Sequence, residues 1–287
     1  DELPEPHEKD YSTYLIETDR FGIFLNSTMD YAYNNTQKIT EALAFAHAAG
    51  YDTVRFPEGE YAIASDWETV STDDPTNGTP GIVVPSNIVL DLGKAKFRLL
   101  PNNRPRYSLF FLYGVSNVTI MGGHLIGDRL EHDYTYIPEK PATLTHEFGY
   151  GIKIAQSENI IIRNVKIEQM TGDGVIIGGL GKYKNSNHVT VTECELSDCR
   201  RQGITIYGGN YCELSYNKIH HIKGTRPQAG IDIEIEDFHT GEHIKIHHNR
   251  VSQTEGGSIV CGSGDSIEVY KNTVVNKILY ILSSTHV

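Results

Sequence analysis

The residues best suited to chemistry stand next to a recurring glycine. In GIDIE (230–234), Asp232 and Glu234 are two positions apart. Two carboxylates on one face of a strand, with Cβ atoms ~6–7 Å apart, can divide general-acid and general-base work. Hydrolysis of a glycosidic bond needs such a pair, and an inverting pair ~6.5–9.5 Å apart holds a water between its carboxyls. Asp173 directly precedes the glycine of GVIIG (174–178), and Arg201-Gln202 precede that of GITIY (203–207). Lys153 and Tyr207 lie on strands of the same kind. The segment GDRLEHDYTYIPEKPATLTHEFGY (127–150) adds Arg129, His132, His146 and Glu147. The expected catalytic set is therefore Asp232, Glu234, Asp173 and Glu147. Lys153, Arg201, Gln202, Tyr207, Arg129, His132 and His146 are expected to bind substrate. Strand spacings put Asp173 roughly 14 Å from Asp232, too far for a direct pair, which leaves Asp173 beside Arg201 or opposite Glu147.

A repeat positions these side chains. From residue 80 onward one half of each unit reads apolar-x-apolar-x-x-Asn-x-apolar: VTVTECEL (189–196), CELSYNKI (212–219), IKIHHNRV (244–251) and IEVYKNTV (267–274). The starts at 189, 212, 244 and 267 give steps of 23, 32 and 23 residues. Looser copies span 118–125 and 160–167. The other half is a glycine followed by alternation: GIKIA (151–155), GVIIG, GITIY, GIDIE and the weaker GSIVC (257–261). A period of this length, built of short strand patterns without helices or a leucine consensus, predicts an all-β parallel β-helix. Period-2 alternation sends Ile152, Val175, Ile204 and Ile231, with Ile154, Ile177, Ile206, Ile233 and Val260, to the core. It sends Lys153, Thr205, Tyr207, Asp232 and Glu234 outward. Asn217, Asn249 and Asn272 share one position in three units and predict a ladder of stacked amides, with Cys194 in that place one coil earlier.

Residues 1–19 read as an acidic linker or tail, and 20–287 as the β-helix domain. Ile39, Leu43 and Ala46 recur at helical spacing before Gly50, so a short helix over about 36–49 is expected to cap the first coil. In YDTVRFPEGEYAI (51–63) two short strands flank a Pro-Glu-Gly turn. An insertion loop over about 128–148 interrupts the repeat, and long loops on a regular scaffold usually carry function. KILYILSS (277–284) reads as a last strand with no cover, which predicts either a longer chain or an edge buried in an oligomer.

The chain has 287 residues, and 25 basic against 37 acidic side chains give 25 − 37 = −12. That balance argues against general affinity for nucleic acid or an anionic membrane. No apolar run reaches the ~18–20 residues of a membrane span. The chain opens at Asp1 rather than Met, as a processed or trimmed product would. The four cysteines form no CxxC pattern and read as small buried thiols. Of the thirteen histidines, His220-His221 and His247-His248 are adjacent and should point to opposite faces of a strand. No transition-metal site is expected, and no cofactor, although calcium held by the carboxylates is the one metal the acids could serve.

These motifs resemble the pectate-lyase-like superfamily of right-handed parallel β-helices. The helix followed by V-x-F-P-x-G-x-Y-x-I resembles the start of that domain in phage tailspikes and secreted polysaccharide enzymes. GDR-x-x-H, T-H-E-x-G-x-GI, GDGVIIGG, RQGITI and PQAGIDIE are similar to tail proteins of phages and prophages of Gram-positive bacteria. The resemblance implies a tailspike-type depolymerase: a virion-tail or extracellular homotrimer acting on a bacterial surface polysaccharide. An endo-acting glycoside hydrolase is the first reading. The alternatives are a polysaccharide lyase, with Lys153 or Arg201 as base, and a non-catalytic glycan-binding adhesin or spike. Two departures are plain. Polygalacturonase-like hydrolases have paired aspartates where this chain has Gly172-Asp173, and His-Gly where it has Gln202-Gly203. Alginate epimerases have Asp-Pro-His where it has Asp232-Ile233-Glu234.

Overall fold

The computed structural model describes residues 12–65, 80–179, 184–236, 238–275 and 280–281. Parallel strands wind into a stack of coils. One face is an eight-stranded sheet whose spatial order is its chain order: β1 (Ile82–Val83), β2 (Arg106–Tyr113), β3 (Phe148–Ala155), β4 (Asp173–Gly178), β5 (Gln202–Ile206), β6 (Ile231–Ile233), β7 (Ile259–Cys261) and β8 (Tyr280–Ile281). Ile152, Val175, Ile204 and Ile231 lie opposite one another on successive strands and are fully buried, as alternation predicts. The preceding glycine is required by close approach. A Cβ on Gly174 would come within 2.8 Å of the Gly203 carbonyl oxygen, and one on Gly203 within 2.4 Å of that of Gly230. The coil that carries β7 departs from this register. Ser258 takes the glycine's place, so Ile259 and Cys261 are the core residues, and Val260 faces outward opposite Asp232.

The remaining strands form the other two faces, joined through Ser116–Ile126. Its first half pairs with Glu158–Arg163 and its second with Lys166–Glu168. Gly122 and Gly123 turn that corner at φ 72° and 78°. In later coils a single left-handed residue makes the bend, such as Tyr216 or His248, and the asparagine ladder follows it. Asn217 Oδ1 accepts the Cys194 amide at 3.0 Å, while Asn217 Nδ2 donates to Asn249 Oδ1 at 3.0 Å and Asn249 Nδ2 to Asn272 Oδ1 at 3.0 Å. All four cysteines are buried free thiols. The two histidine pairs do not splay as expected. His221 and His248 are left-handed, which folds each ring back until Nδ1 meets the neighbour's Nδ1 at 2.7 and 2.8 Å.

The capping helix spans Ala32–Ala48 and buries Ile39, Ala42, Leu43 and Ala46. Gly50 closes it at φ 82°, with the Tyr51 amide donating to the Ala46 carbonyl. The folded unit begins inside the segment read as a tail, because Thr13–Leu15 pairs with Thr53–Arg55 and Ile16 is buried. Residues 1–11 of that segment lie outside the described residues, as do Asp237 and most of 276–287. Among the described residues no helix is long and apolar enough to cross a membrane.

Candidate functional site

The outward side of β4–β6 carries a polar cluster that is largely sealed. Asp173 and Gln202 are fully buried, Asp232 is 3% exposed, and Arg201 is mostly covered. Glu234 is its open edge, with a side chain 37% exposed. The Arg201 guanidinium ties two of the acids together: Nη1 lies 3.0 Å from Asp173 Oδ2 and Nη2 lies 2.9 Å from Glu234 Oε1. Gln202 bridges the rest. Its Nε2 donates to Asp232 Oδ2 and lies 3.5 Å from Glu234 Oε2, while its Oε1 accepts from Arg201 Nη1. Thr205, which residue type alone did not single out, lies 2.9 Å from Asp173 Oδ2 and within reach of Gln202 Oε1. Its place in the outward row beside Asp232 was the signal for it.

Asp173 thus stands beside Arg201, as expected, and reaches Asp232 only through Gln202 and Thr205. Asp232 and Glu234 are closer than an inverting pair requires. Two oxygens bonded to one amide nitrogen at ordinary lengths lie within roughly 6 Å of each other, so little room is left for an intervening water. Three carboxylates face one guanidinium, and burial makes full ionisation costly. Burial, followed by the Glu234 charge, pushes the Asp232 carboxyl up to about 8. Burial pushes Asp173 up to about 6 against the opposing pull of Arg201 and Thr205. Burial works to lower the Arg201 pKa, but Asp173 and Glu234 overcome it and drive it up. Asp173 Oδ1 and Arg201 Nε are buried without a hydrogen-bond partner. Arg201 and the Gln202 amide lie where a cation would have to sit, and among the described residues no group of three or more acids, histidines or cysteines could hold a metal ion.

Beside the cluster the outward face is aromatic. Tyr150, Ile176 and Tyr207 pack together with Phe148 against them. Tyr207 donates its hydroxyl to the Gly179 carbonyl, and its ring covers Gly178, where a Cβ would lie 2.2 Å from the ring. Lys153 is buried with its ammonium 5.3 Å from the Tyr150 ring centre. Burial, then the nearby Arg106, lowers its pKa to about 8.

The insertion over 128–148 forms a strap held by a chain of hydrogen bonds. His132 Nδ1 lies 2.7 Å from Asp128 Oδ2, His132 Nε2 lies 2.9 Å from His146 Nδ1, and His146 Nε2 donates to the Thr135 carbonyl at 3.2 Å. All three side chains are buried. Three hydrogen bonds need three protons, whereas two neutral imidazoles supply two. The closed chain therefore carries one extra proton shared among Asp128, His132 and His146. Burial lowers the His146 pKa. Arg129 Nη1 donates to the Asp198 carbonyl at 2.6 Å, and Arg200 Nη1 donates to the Thr145 carbonyl while its guanidinium lies over Tyr134. His132, His146 and Arg129 thus anchor the strap. Among the described residues the Glu147 carboxylate makes none of the cluster's hydrogen bonds.

A sequence profile described as right handed beta helix region matches residues 111–286, and the chain belongs to that family. Two proteins of Bacillus subtilis (strain 168) are similar over 93% of the chain: YclG at 30% identity and the SPbeta prophage-derived YorA at 32%. The chain spans 47% of the length of each, about half of the curated relatives it matches. Among solved structures, 1,3-α-1,4-β-D-galactose-4-sulfate-3,6-anhydro-D-galactose-2-sulfate 4 galactohydrolase is similar with TM-score 0.64 and 15% identity, covering 94% of this chain and 61% of that one. At that identity the likeness speaks for the fold.

Proposed function

We propose that this β-helix acts on a polysaccharide as an endo-acting glycoside hydrolase, within a longer protein on the outside of a virion or cell. The observation that carries the reading is the convergence of Asp232 and Glu234 on Gln202, with Arg201 paired to Glu234. Asp232, whose carboxyl is pushed up to about 8, keeps a proton at neutral pH and serves as general acid. Glu234, at the open edge, is the nucleophile or base. A pair this close suits the ~5–5.5 Å spacing of retaining enzymes better than the inverting geometry, so the product is expected to keep its anomeric configuration. The prophage-derived relative and the galactohydrolase-like fold support a surface glycan as substrate. The tail-protein resemblance adds a homotrimer, which sedimentation of the whole protein would test.

A lyase using Arg201 as base is disfavoured, because its two carboxylate neighbours hold it cationic. Burial of Asp173 and Asp232 favours a second reading, a spike that binds glycan without cutting it. A reducing-end assay on purified wall and capsule polysaccharides decides between the two. Hydrolysis lost in Asp232→Asn and Glu234→Gln supports the enzyme, whereas binding without new reducing ends supports the spike.

A further inference from the structure

A concave feature lies between the strap and the start of the sheet. It is a cavity of about 370 Å³ lined by Arg104, Arg106, Lys140, Ile137, Pro141 and Thr143 among others. Three of its lining residues are cations and none is a carboxylate. Its volume is within the ~300–1,000 Å³ range of small-molecule sites. Arg106 is its most committed member. It opens β2 directly opposite Phe148 on β3, half-buried, with its guanidinium 4.6 Å from the Phe148 ring centre. Burial lowers its pKa, and the neighbour acting the other way is the Tyr150 phenol rather than a carboxylate. Its guanidinium makes no hydrogen bond or ion pair to any described residue. A partly desolvated, planar cation packed over a ring presents its donors as a fork, the geometry that matches an oxo-acid group in a bidentate way.

The cavity is aligned with the acidic cluster. Arg106 is on β2, Lys153 and Tyr150 on β3, Asp173 on β4 and Gln202 on β5. At ~4.8 Å per rung, Asp173 lies about 10 Å and Asp232 about 19 Å from Arg106 along the stack. A polymer lying along the solenoid would meet cations at one point and carboxylates two rungs on, at Asp173, and four rungs on, at Asp232. The net charge of −12 repels a polyanion elsewhere, so a single cationic cavity would fix its register.

We propose that the Arg104–Arg106–Lys140 cavity is a subsite for the anionic group of an acidic glycan, a uronate carboxylate or a phosphodiester. This deepens the polysaccharide reading and rests on it. Calorimetric titration with tetragalacturonate, a glycerol-phosphate oligomer and neutral maltotetraose tests it, and the two acidic probes separate carboxylate from phosphodiester. At least one acidic probe should bind, and bind less tightly as salt rises. Arg106→Gln should weaken it roughly ten- to a hundred-fold, the cost of charge-assisted hydrogen bonds. Arg106→Lys should recover part of the loss, and exposed Lys140→Gln should cost a few-fold. Unchanged melting of each variant shows that the fold is intact. Equal binding of acidic and neutral probes, no binding of either acidic probe, or undiminished binding in Arg106→Gln overturns the subsite. The two readings fail separately. Hydrolysis of a neutral glycan unaffected by Arg106→Gln leaves the hydrolase without the subsite. Acidic-probe binding lost in Arg106→Gln, without turnover on any glycan, leaves the subsite without the hydrolase.

Discussion

Asp173, Asp232 and Glu234 on the sheet and Asp128, His132 and His146 in the strap are both clusters of titratable side chains, and all of them but Glu234 are withdrawn from water. They differ in how their charge closes. In the strap, one extra proton completes a chain that ends on the Thr135 carbonyl. The sum is neutral, and the proton is committed to holding the loop. On the sheet, three carboxylates meet one guanidinium, so an excess of negative charge remains, and it is relieved by a proton kept on Asp232 beside the exposed edge of Glu234. One cluster uses its proton as a fastener, and the other keeps one where a substrate could receive it. Residue type does not separate these roles; charge balance and the end point of the hydrogen bonds do.

The largest expected effect falls on the sheet cluster. Asp232→Asn and Glu234→Gln should each lower turnover ~10²- to 10⁴-fold, measured by reducing ends released from the glycan that the wild type cuts. Equal losses from a strap variant would erase the distinction between the clusters.

Next in size are two substitutions that should act on stability. Asp128 Oδ2 accepts both the Asn102 amide, at 3.1 Å, and the His132 contact. Asp128→Asn keeps an oxygen that can accept both but removes the negative charge facing the imidazole, so the variant should lose ~1–3 kcal/mol and show faster hydrogen exchange over 129–147. Asn249→Leu should lose a similar ~1–3 kcal/mol by stripping partners from Asn217 and Asn272. Denaturant melts that match the wild type would contradict either account.

A further effect is a pH dependence. The Asp232 pKa rises from 3.8 to about 8 in the folded chain. Between those values the folded state holds a proton that the unfolded state has released, so this group favours folding at low pH and the advantage fades as pH rises toward 8. The melting temperature of Asp232→Asn, relative to the wild type, should therefore improve from pH 4 to pH 8. A difference that stays flat or falls would mean that Asp232 is not held protonated.

The sheet cluster was legible because the scaffold repeats. Once glycines 151, 174, 203 and 230 are aligned, period 2 fixes the facing of Asp232, Glu234 and Thr205, and rung spacing brings Arg201 to Asp173. The strap was not legible in this way. It has no period, and nothing in LEHDYTYIPEKPATLTHE says whether a histidine faces a glycan or another histidine. The slip at Val260 has a local cause, since in GGSIV the second glycine mimics the start that Ser258 makes. The strand at 13–15 was hidden in an acidic, proline-containing stretch, although the alternation of Tyr14 and Ile16, both buried, marks it.

The claim on which the functional reading turns is that Asp232 keeps its proton at neutral pH. Carboxyl ¹³C chemical shifts followed by NMR from pH 3 to pH 10, with the Asp232 signal assigned by its loss in Asp232→Asn, measure this directly. The account predicts a midpoint near 8, shifted down when Glu234 is replaced by Gln. A midpoint near 4, the ordinary aspartate value, would contradict it.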